Sequence, residues 1–321
     1  MTRRNFLWSG LFLGASSLVP KGLFAAEPPV FDERLSVFLS DIHVNGLDAY
    51  PDGDYKGKPI KKLMRDCLRR TVDEILAMNP RPRYVIVFGD IAYLNGRACD
   101  YAQSKPELRR LVDAGVRLTL GMGNHDHRAA FFDAWPEYRE RTLLKGHVVT
   151  VTEMPDVDLI MLDSLDDNGQ AETRNPAKGV LSAAHQEWIK ANLQGWRRPF
   201  LLGAHHSIKA LSVNNGKAPL AEFLRAACPK FRGFIHGHDH LWKRDLCVWT
   251  DPAARPLLTL PSNGLWGDIG YAVFRTEPKK AVATLVQKDF YLHDPLPPGR
   301  TRAAWTNRLE DNRGERSTFA L

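Results

Sequence analysis

Cysteine is scarce in this chain. The four cysteines among 321 residues, Cys67, Cys99, Cys228 and Cys247, never approach one another as C-x-x-C. That spacing signals neither a thiolate zinc site nor a redox pair, and the number is too small for a disulfide-stapled scaffold. Whether any two of them pair is left open. Long apolar runs are missing as well: no stretch reaches the ~20 residues that a membrane-spanning helix needs. Charge of one sign is not in great excess, with 44 Lys and Arg against 37 Asp and Glu, a formal +7. The chain has an ordinary globular composition, 44% hydrophobic and 25% charged. At about 100–200 residues per domain, the length accommodates one large or two small domains with ample core.

The positive balance hints at a polyanionic partner, so its origin matters. The chain opens Thr2-Arg3-Arg4-Asn5-Phe6-Leu7, and an apolar run from Leu7 to Val19 comes next, diluted with Gly and Ser. Lys21 lies just beyond the run, and Ala25-Ala26 precede Glu27-Pro28-Pro29. The segment resembles a twin-arginine export signal, with small residues where a signal peptidase cuts. The resemblance implies that residues 1–26 are removed, leaving a periplasmic or extracytoplasmic protein with no stable membrane span. Three basic and no acidic residues go with the signal, which leaves +4. A charge that mild argues for neither nucleic acid nor a membrane surface as partner.

From Leu35 onward, short apolar runs alternate with amphipathic stretches, the pattern of an α/β protein. Strands are expected at Leu35–Ser40, Tyr84–Phe88, Val116–Leu120, His147–Thr152, Val157–Leu162, Phe200–Gly203, Phe231–Ile235, Leu246–Thr250, Leu257–Leu260, Tyr271–Arg275 and Ala281–Val286. The clearest helix is Ile60–Met78, whose apolar pairs Leu63/Met64, Cys67/Leu68, Thr71/Val72 and Ile75/Leu76 recur one turn apart. Further helices are expected at Pro106–Ala114, Ser182–Leu193 and Pro219–Cys228. Residues 291–321 read as a polar, Arg-rich tail that wraps the surface or frays.

The chemistry appears at the ends of the strands. Asp41-Ile42-His43, Gly89-Asp90, Gly121-Met122-Gly123-Asn124-His125-Asp126, His205-His206 and Gly237-His238-Asp239-His240 each come directly after an apolar run. Eight of the eleven histidines lie in or beside these segments. In an open α/β sheet the carboxyl ends of neighbouring strands share one crevice, so residues far apart in sequence converge there. Glycines beside Asp90, Asn124 and His238 permit the tight turns that bring backbone close to a site. Each element alone is an ordinary strand end, and a lone Gly-Asp carries almost no information.

The ordered set is specific, and it resembles the calcineurin-like metallophosphoesterases over about Leu35 to Arg275. Asp41-x-His43, the Gly-Asn-His-Asp-x-Arg run ending at Arg128, Leu162-Asp163-Ser164 ahead of Gly179-Val180-Leu181, and Gln186-x-Trp188 are similar to the bacterial branch of class III cyclic-nucleotide and glycerophosphodiester phosphodiesterases. The resemblance implies a four-layer α/β/β/α sandwich, two mixed sheets flanked by helices, over residues 27–290. It also implies two divalent metal ions, Mn, Fe or Zn, bridged by Asp90. Asp41, His43 and His240 complete the first site, and Asn124, His205 and His238 the second. Carboxylate, imidazole and amide oxygen suit such ions. A water activated on the metals would attack phosphorus while His125 protonates the leaving group, with Asp126 holding or tuning His125.

Other residues stay ambiguous. His127, Arg128 and His206 are candidates for contact with the phosphate. The first two serve equally well as caps or solvation for a helix starting there, and His206 as the residue that orients His205. His236 lies inside a strand and reads as a satisfied core histidine. Tyr93, in Gly89-Asp90-Ile91-Ala92-Tyr93, also resembles the iron-binding tyrosine of purple acid phosphatases, but those enzymes lack a histidine at the position of His43. Asn263 and Trp266, with the segments Leu47–Lys58, Asp166–Lys178 and Ser212–Lys217, are expected near the mouth of the site. The expected substrate is a small phosphodiester. A phosphomonoesterase on the same metal core and a non-catalytic scaffold are the competing readings, and no basic-aromatic stripe supports a nuclease.

Overall fold

The computed structural model describes residues 28–49, 57, 63–170, 173–247, 255–264, 267–287 and 314–321. The proposed signal, Trp266 and most of Leu47–Lys58 lie outside the described residues. Among the described residues, fourteen strands and six α-helices succeed one another in the order expected of an α/β chain.

One six-stranded sheet has the order β14-β13-β12-β1-β2-β3. Its strands β1 (Phe31–Leu39), β2 (Arg81–Val87) and β3 (Arg117–Leu120), the last at the edge, run parallel. β12 (Gly270–Glu277), β13 (Lys280–Gln287) and β14 (Arg316–Ala320) add an antiparallel meander at one edge. The second six-stranded sheet has the order β10-β11-β9-β6-β5-β4. There β5 (Asp158–Met161), β6 (Phe200–Ala204), β9 (Phe231–His236) and β11 (Pro256–Thr259) are parallel, while β4 (Thr150–Glu153) and β10 (Lys243–Leu246) are antiparallel edges. A two-stranded hairpin pairs β7 (Ser212–Val213) with β8 (Ala218–Pro219).

Alternation along the strands builds the layers. Phe38, Tyr84, Ile86 and Phe88 point from the first sheet toward Leu159, Met161, Leu201 and Ile235 of the second, so the two sheets share an apolar interior. Their sequence neighbours Val37, Leu39, Val85 and Val87 face outward against α1 (Leu63–Ala77) and α2 (Ala98–Asp113). On the far side, Ile160, Leu202 and Phe234 pack against α5 (Ala183–Leu193) and α6 (Leu220–Ala227). Sheets covered on both faces need apolar residues at consecutive positions, which is why these strands read as unbroken apolar runs. The result is the expected four-layer α/β/β/α sandwich.

Several elements differ from expectation. α2 begins at Ala98, eight residues before Pro106, which sits inside the helix. The Asp100 carboxylate accepts from the Arg97 amide at 3.1 Å and caps the earlier start. β10 is Lys243–Leu246, most of the strand expected at Leu246–Thr250 lying outside the described residues, and β4 is Thr150–Glu153 rather than His147–Thr152. The helix expected to start near His127 and Arg128 is α3 (Arg128–Ala134), with His127 at its N-cap position, and the short α4 (Tyr138–Arg141) was not expected. The end of the polar tail is a strand: Ser317 and Phe319 of β14 are buried while Arg316, Thr318 and Ala320 are exposed.

Candidate metal centre

Five parallel strands, β1, β2, β3 from one sheet and β6, β9 from the other, end on the same side of the sandwich. Each leads into a turn that carries polar side chains back over the strand ends. The turns interlock through the backbone: Asp41 N donates to Gly89 O at 3.1 Å, His43 N to Asp90 O at 2.9 Å, and Gly237 N to His205 O at 3.1 Å. Across the two sheets, His238 N donates to Asp41 Oδ2 at 3.1 Å.

Asp41, His43, Asp90, His238 and His240 all have positive φ, between 50° and 68°. A non-glycine residue held there costs about 1–2 kcal/mol, so the surrounding packing must impose it. Glycine makes the close approach possible at Gly123, where a Cβ would lie 2.1 Å from Asp90 Oδ1.

The side chains form two groups that share one oxygen. In the first, Asp41 Oδ1 lies 3.1 Å from His240 Nε2 and 3.8 Å from His43 Nε2, and His43 Nε2 lies 3.8 Å from Asp90 Oδ2. In the second, His205 Nε2 lies 3.2 Å from the same Asp90 Oδ2, 3.2 Å from Asn124 Oδ1 and 3.3 Å from His238 Nδ1. All seven side chains expected as metal ligands are therefore brought together, with Asp90 between the groups.

The free valences fit cations. Asp41 spends Oδ2 on Ser40 Oγ at 2.6 Å and on His238 N, while its buried Oδ1 makes no hydrogen bond. Asp90 spends Oδ1 on His125 N at 2.8 Å and leaves Oδ2 facing the imidazoles. His205 Nδ1 donates to Phe88 O at 2.9 Å, which leaves a lone pair on Nε2 toward the centre. Burial disfavours charge on His205, yet Asp90 and Asp41 raise its pKa to about 9. Burial also pushes the Asp90 carboxyl up, but His205 and His125 hold it well below the usual range. Two buried carboxylates thus demand positive charge here, and carboxylate, imidazole and amide donors match a pair of divalent ions.

The other expected residues have distinct fates. His125 lies beside the centre, with Nε2 3.9 Å from Asp90 Oδ2 and Nδ1 donating to Leu94 O at 2.9 Å. Burial lowers its pKa, and Arg174 nearby adds to the effect. The Asp126 carboxylate bonds no atom of the His125 ring. It accepts from Gly123 N at 2.9 Å, Ala92 N at 3.0 Å, Ile91 N at 3.3 Å and Tyr101 Oη at 2.9 Å, and so ties the Asp90 turn to the Asn124 turn. His206 lies close by, in the metal-capable cluster with His205 and His238. Its Nδ1 meets Ser164 Oγ at 2.8 Å, and its Nε2 makes no hydrogen bond. His236 is a core residue as expected, its nitrogens on Gly237 O at 2.8 Å and Thr259 Oγ1 at 3.0 Å.

His127 and Arg128, expected as phosphate contacts, are directed elsewhere. The Arg128 guanidinium forms a bidentate pair with the fully buried Asp163 at 2.7 and 2.9 Å and also donates to Leu165 O at 2.6 Å. His127 meets Asp167 Oδ1 and Thr173 O, each at 2.9 Å. Both partners are acceptors, so both ring nitrogens donate, and the Asp167 carboxylate raises the His127 pKa. The partners come from the chain that follows β5: Asp163 and Leu165 hold the Arg128 side chain, and Asp167 and Thr173 hold that of His127. Asn263 is buried against the first helix, its Nδ2 donating to Thr71 Oγ1 at 2.9 Å. Sequence reasoning did not single out Arg174, whose Nη2 lies 3.4 Å from His125 Nε2, because an arginine in a polar loop has no pattern around it.

A solved structure shares this architecture. A dimetal phosphatase from Danio rerio superposes with a TM-score of 0.57 at 15% identity, covering 81% of this chain and 96% of its own. The calcineurin-like phosphoesterase YfkN from Bacillus subtilis matches at a TM-score of 0.40 and 13% identity, covering 89% of this chain and 90% of its own. A comparison with curated protein sequences finds no significant match. The sequence profile named calcineurin-like phosphoesterase matches residues 36–242, more than half of the chain and all of the strand ends just described. The chain belongs to the calcineurin-like phosphoesterase family.

Proposed function

We propose that the protein is an exported, dinuclear metal-dependent phosphodiesterase that hydrolyses small organic phosphodiesters. The observation that carries the reading is the single oxygen, Asp90 Oδ2, standing between two sets of ligands with His125 Nε2 3.9 Å away. Divalent ions bound there would polarise a phosphoryl oxygen and supply a nucleophile at neutral pH. Asp41, His43, Asp90 and His240 would hold one ion, and Asp90, Asn124, His205 and His238 the other. Ser40 and the Phe88 carbonyl orient Asp41 and His205. His125, anchored through Nδ1 on Leu94 O, presents Nε2 to the centre and is placed to protonate a departing oxygen.

Export is supported by the twin-arginine pattern of residues 2–7 and the apolar run behind it. No helix among the described residues is long and apolar enough to cross a membrane. The test is a rate comparison on bis(p-nitrophenyl) phosphate, p-nitrophenyl phosphate and cyclic AMP, with Mn, Zn and Fe supplied separately. Preference for a diester supports the reading. Strong preference for the monoester replaces it with a phosphomonoesterase on the same core, and no hydrolysis of any of the three replaces it with a scaffold.

A further inference from the structure

We propose that a cavity beside β3, separate from the metal centre, is a second binding site, and that it takes phosphate monoesters of aromatic or other apolar alcohols. The proposal stands apart from the phosphodiesterase reading and does not depend on it.

The cavity has a volume of about 350 Å³ and lies between α2, the amino end of β3 and the stretch from Trp135 to Arg141. β3 is the edge strand of the first sheet, and its other end leads to Asn124. None of the seven side chains assigned to the metal centre lines the cavity. Small-molecule sites run from about 300 to 1,000 Å³, so a small ester fits.

Three observations carry the assignment. The first is charge. Arg109, Arg117 and Arg141 line the cavity with a single carboxylate, Glu137, three guanidinium groups against one negative charge. Exposed arginines elsewhere on the surface are neutralised: Arg139 meets Asp133 at 2.8 Å and Arg275 meets Asp32 at 2.7 Å. Among the described residues, no carboxylate pairs with Arg117 or Arg141. Arg109 reaches Glu137 only at 3.9 Å and Asp113 only at 3.8 Å, both in the open, and such pairs are weak. The surplus of two positive charges is answered by a dianion. A phosphate monoester approaches two charges at neutral pH, whereas a carboxylate or a phosphodiester carries one.

The second is how the guanidinium groups are held. Arg117 lies over the Tyr84 ring, 5.8 Å from its centroid, and Arg141 over the Tyr138 ring at 4.7 Å. Arg141 Nη2 also donates to Leu118 O at 3.4 Å. Stacking on an aromatic face fixes the plane of a guanidinium and leaves the N–H groups along its rim for an acceptor. Planar forks presented in this way match phosphate oxygens.

The third is the wall behind the arginines. Val112, Trp135 and Tyr138 make it apolar, and both aromatic rings are buried. The Trp135 indole nitrogen can only donate, and it has no partner. An unpaired buried donor is costly, and an acceptor in the cavity would relieve it. A bare phosphate ion would satisfy the arginines alone. An ester with an aryl or alkyl group covers the apolar wall as well.

The test titrates phenylphosphonate, which cannot be hydrolysed, into Zn-loaded full-length protein and follows the tryptophan indole N–H signals by NMR. Trp135→Phe identifies the Trp135 signal. That signal should shift saturably, and it should still do so in Asp90→Ala, where the metal centre is dismantled. Arg117→Ala/Arg141→Ala should raise the Kd at least tenfold, and Arg117→Lys/Arg141→Lys should recover part of the loss. Glu137→Gln, which removes the one carboxylate in the wall, should lower the Kd. Methylphosphonate, which has the charge without the aryl group, should bind at least fivefold more weakly. A Trp135 signal that does not move, or a response lost in Asp90→Ala, overturns the proposal. So does an unchanged Kd in Arg117→Ala/Arg141→Ala or in Glu137→Gln. Equal affinity for the two phosphonates overturns the assigned ligand class.

Discussion

Arg128 separates a structural role from a substrate role most sharply. In the fold its guanidinium is the countercharge of Asp163, a carboxylate with 0% side-chain exposure, at 2.7 and 2.9 Å. Arg128→Ala leaves that charge buried with two backbone donors, Val148 N at 2.9 Å and Leu165 N at 3.1 Å. Breaking one side of a buried pair costs about 3–5 kcal/mol. At about 2–4 °C per kcal/mol for a domain of this order of size, the melting temperature should fall by about 6–20 °C. The double variant Arg128→Ala/Asp163→Asn, which removes the orphaned charge but keeps an acceptor, should recover part of the loss. Thermal and urea denaturation of both variants, with and without Mn, measure this directly. Refutation would be an Arg128→Ala protein that melts within about 2 °C of wild type while its KM for a diester rises tenfold; Arg128 would then be a phosphate contact.

Two further predictions concern the turns around the site. In Gly123→Ala the new Cβ would stand 2.1 Å from Asp90 Oδ1 and 2.4 Å from Asp90 N, and Asp126 Oδ2 holds Gly123 N at 2.9 Å. Displacing the shared carboxylate should lower metal content by elemental analysis and kcat/KM at least a hundredfold, at about 1–3 kcal/mol of stability; a fully loaded, active variant would contradict this. His127 donates from both nitrogens, and its folded pKa is raised above 6.5, chiefly by Asp167. Its contribution is complete below the unfolded value of about 6.5 and is lost as pH rises through the folded value. An NMR titration should find the raised pKa, and the stability gap between wild type and His127→Ala should shrink with rising pH. A gap that stays constant from pH 6 to 9 would contradict it.

The strands and the site were legible from the sequence for one physical reason. A sheet buried on both faces writes continuous apolar runs, and the first polar residues after Ser40, Phe88, Leu120, Ala204 and His236 are those that gather at the crevice. The fates of His127 and Arg128 were not legible because their partners, Asp163, Asp167 and Thr173, lie 35 to 46 residues away. Proximity in sequence to Asn124 suggested the phosphate, and tertiary packing decided otherwise. Pro106 looked like a helix start because proline favours the first turn, but the Asp100 cap begins the helix earlier. β14 escaped notice because a single buried Phe319 is too little alternation to register.

Metal stoichiometry tests the central claim most directly. Protein loaded with Mn and freed of excess ion should contain two ions per chain. Asn124→Ala should retain about one, and Asp90→Ala, which removes the oxygen common to both groups, should retain close to none. A fully active wild type holding a single ion, or an Asp90→Ala variant that still holds two, would contradict a dinuclear centre bridged by Asp90.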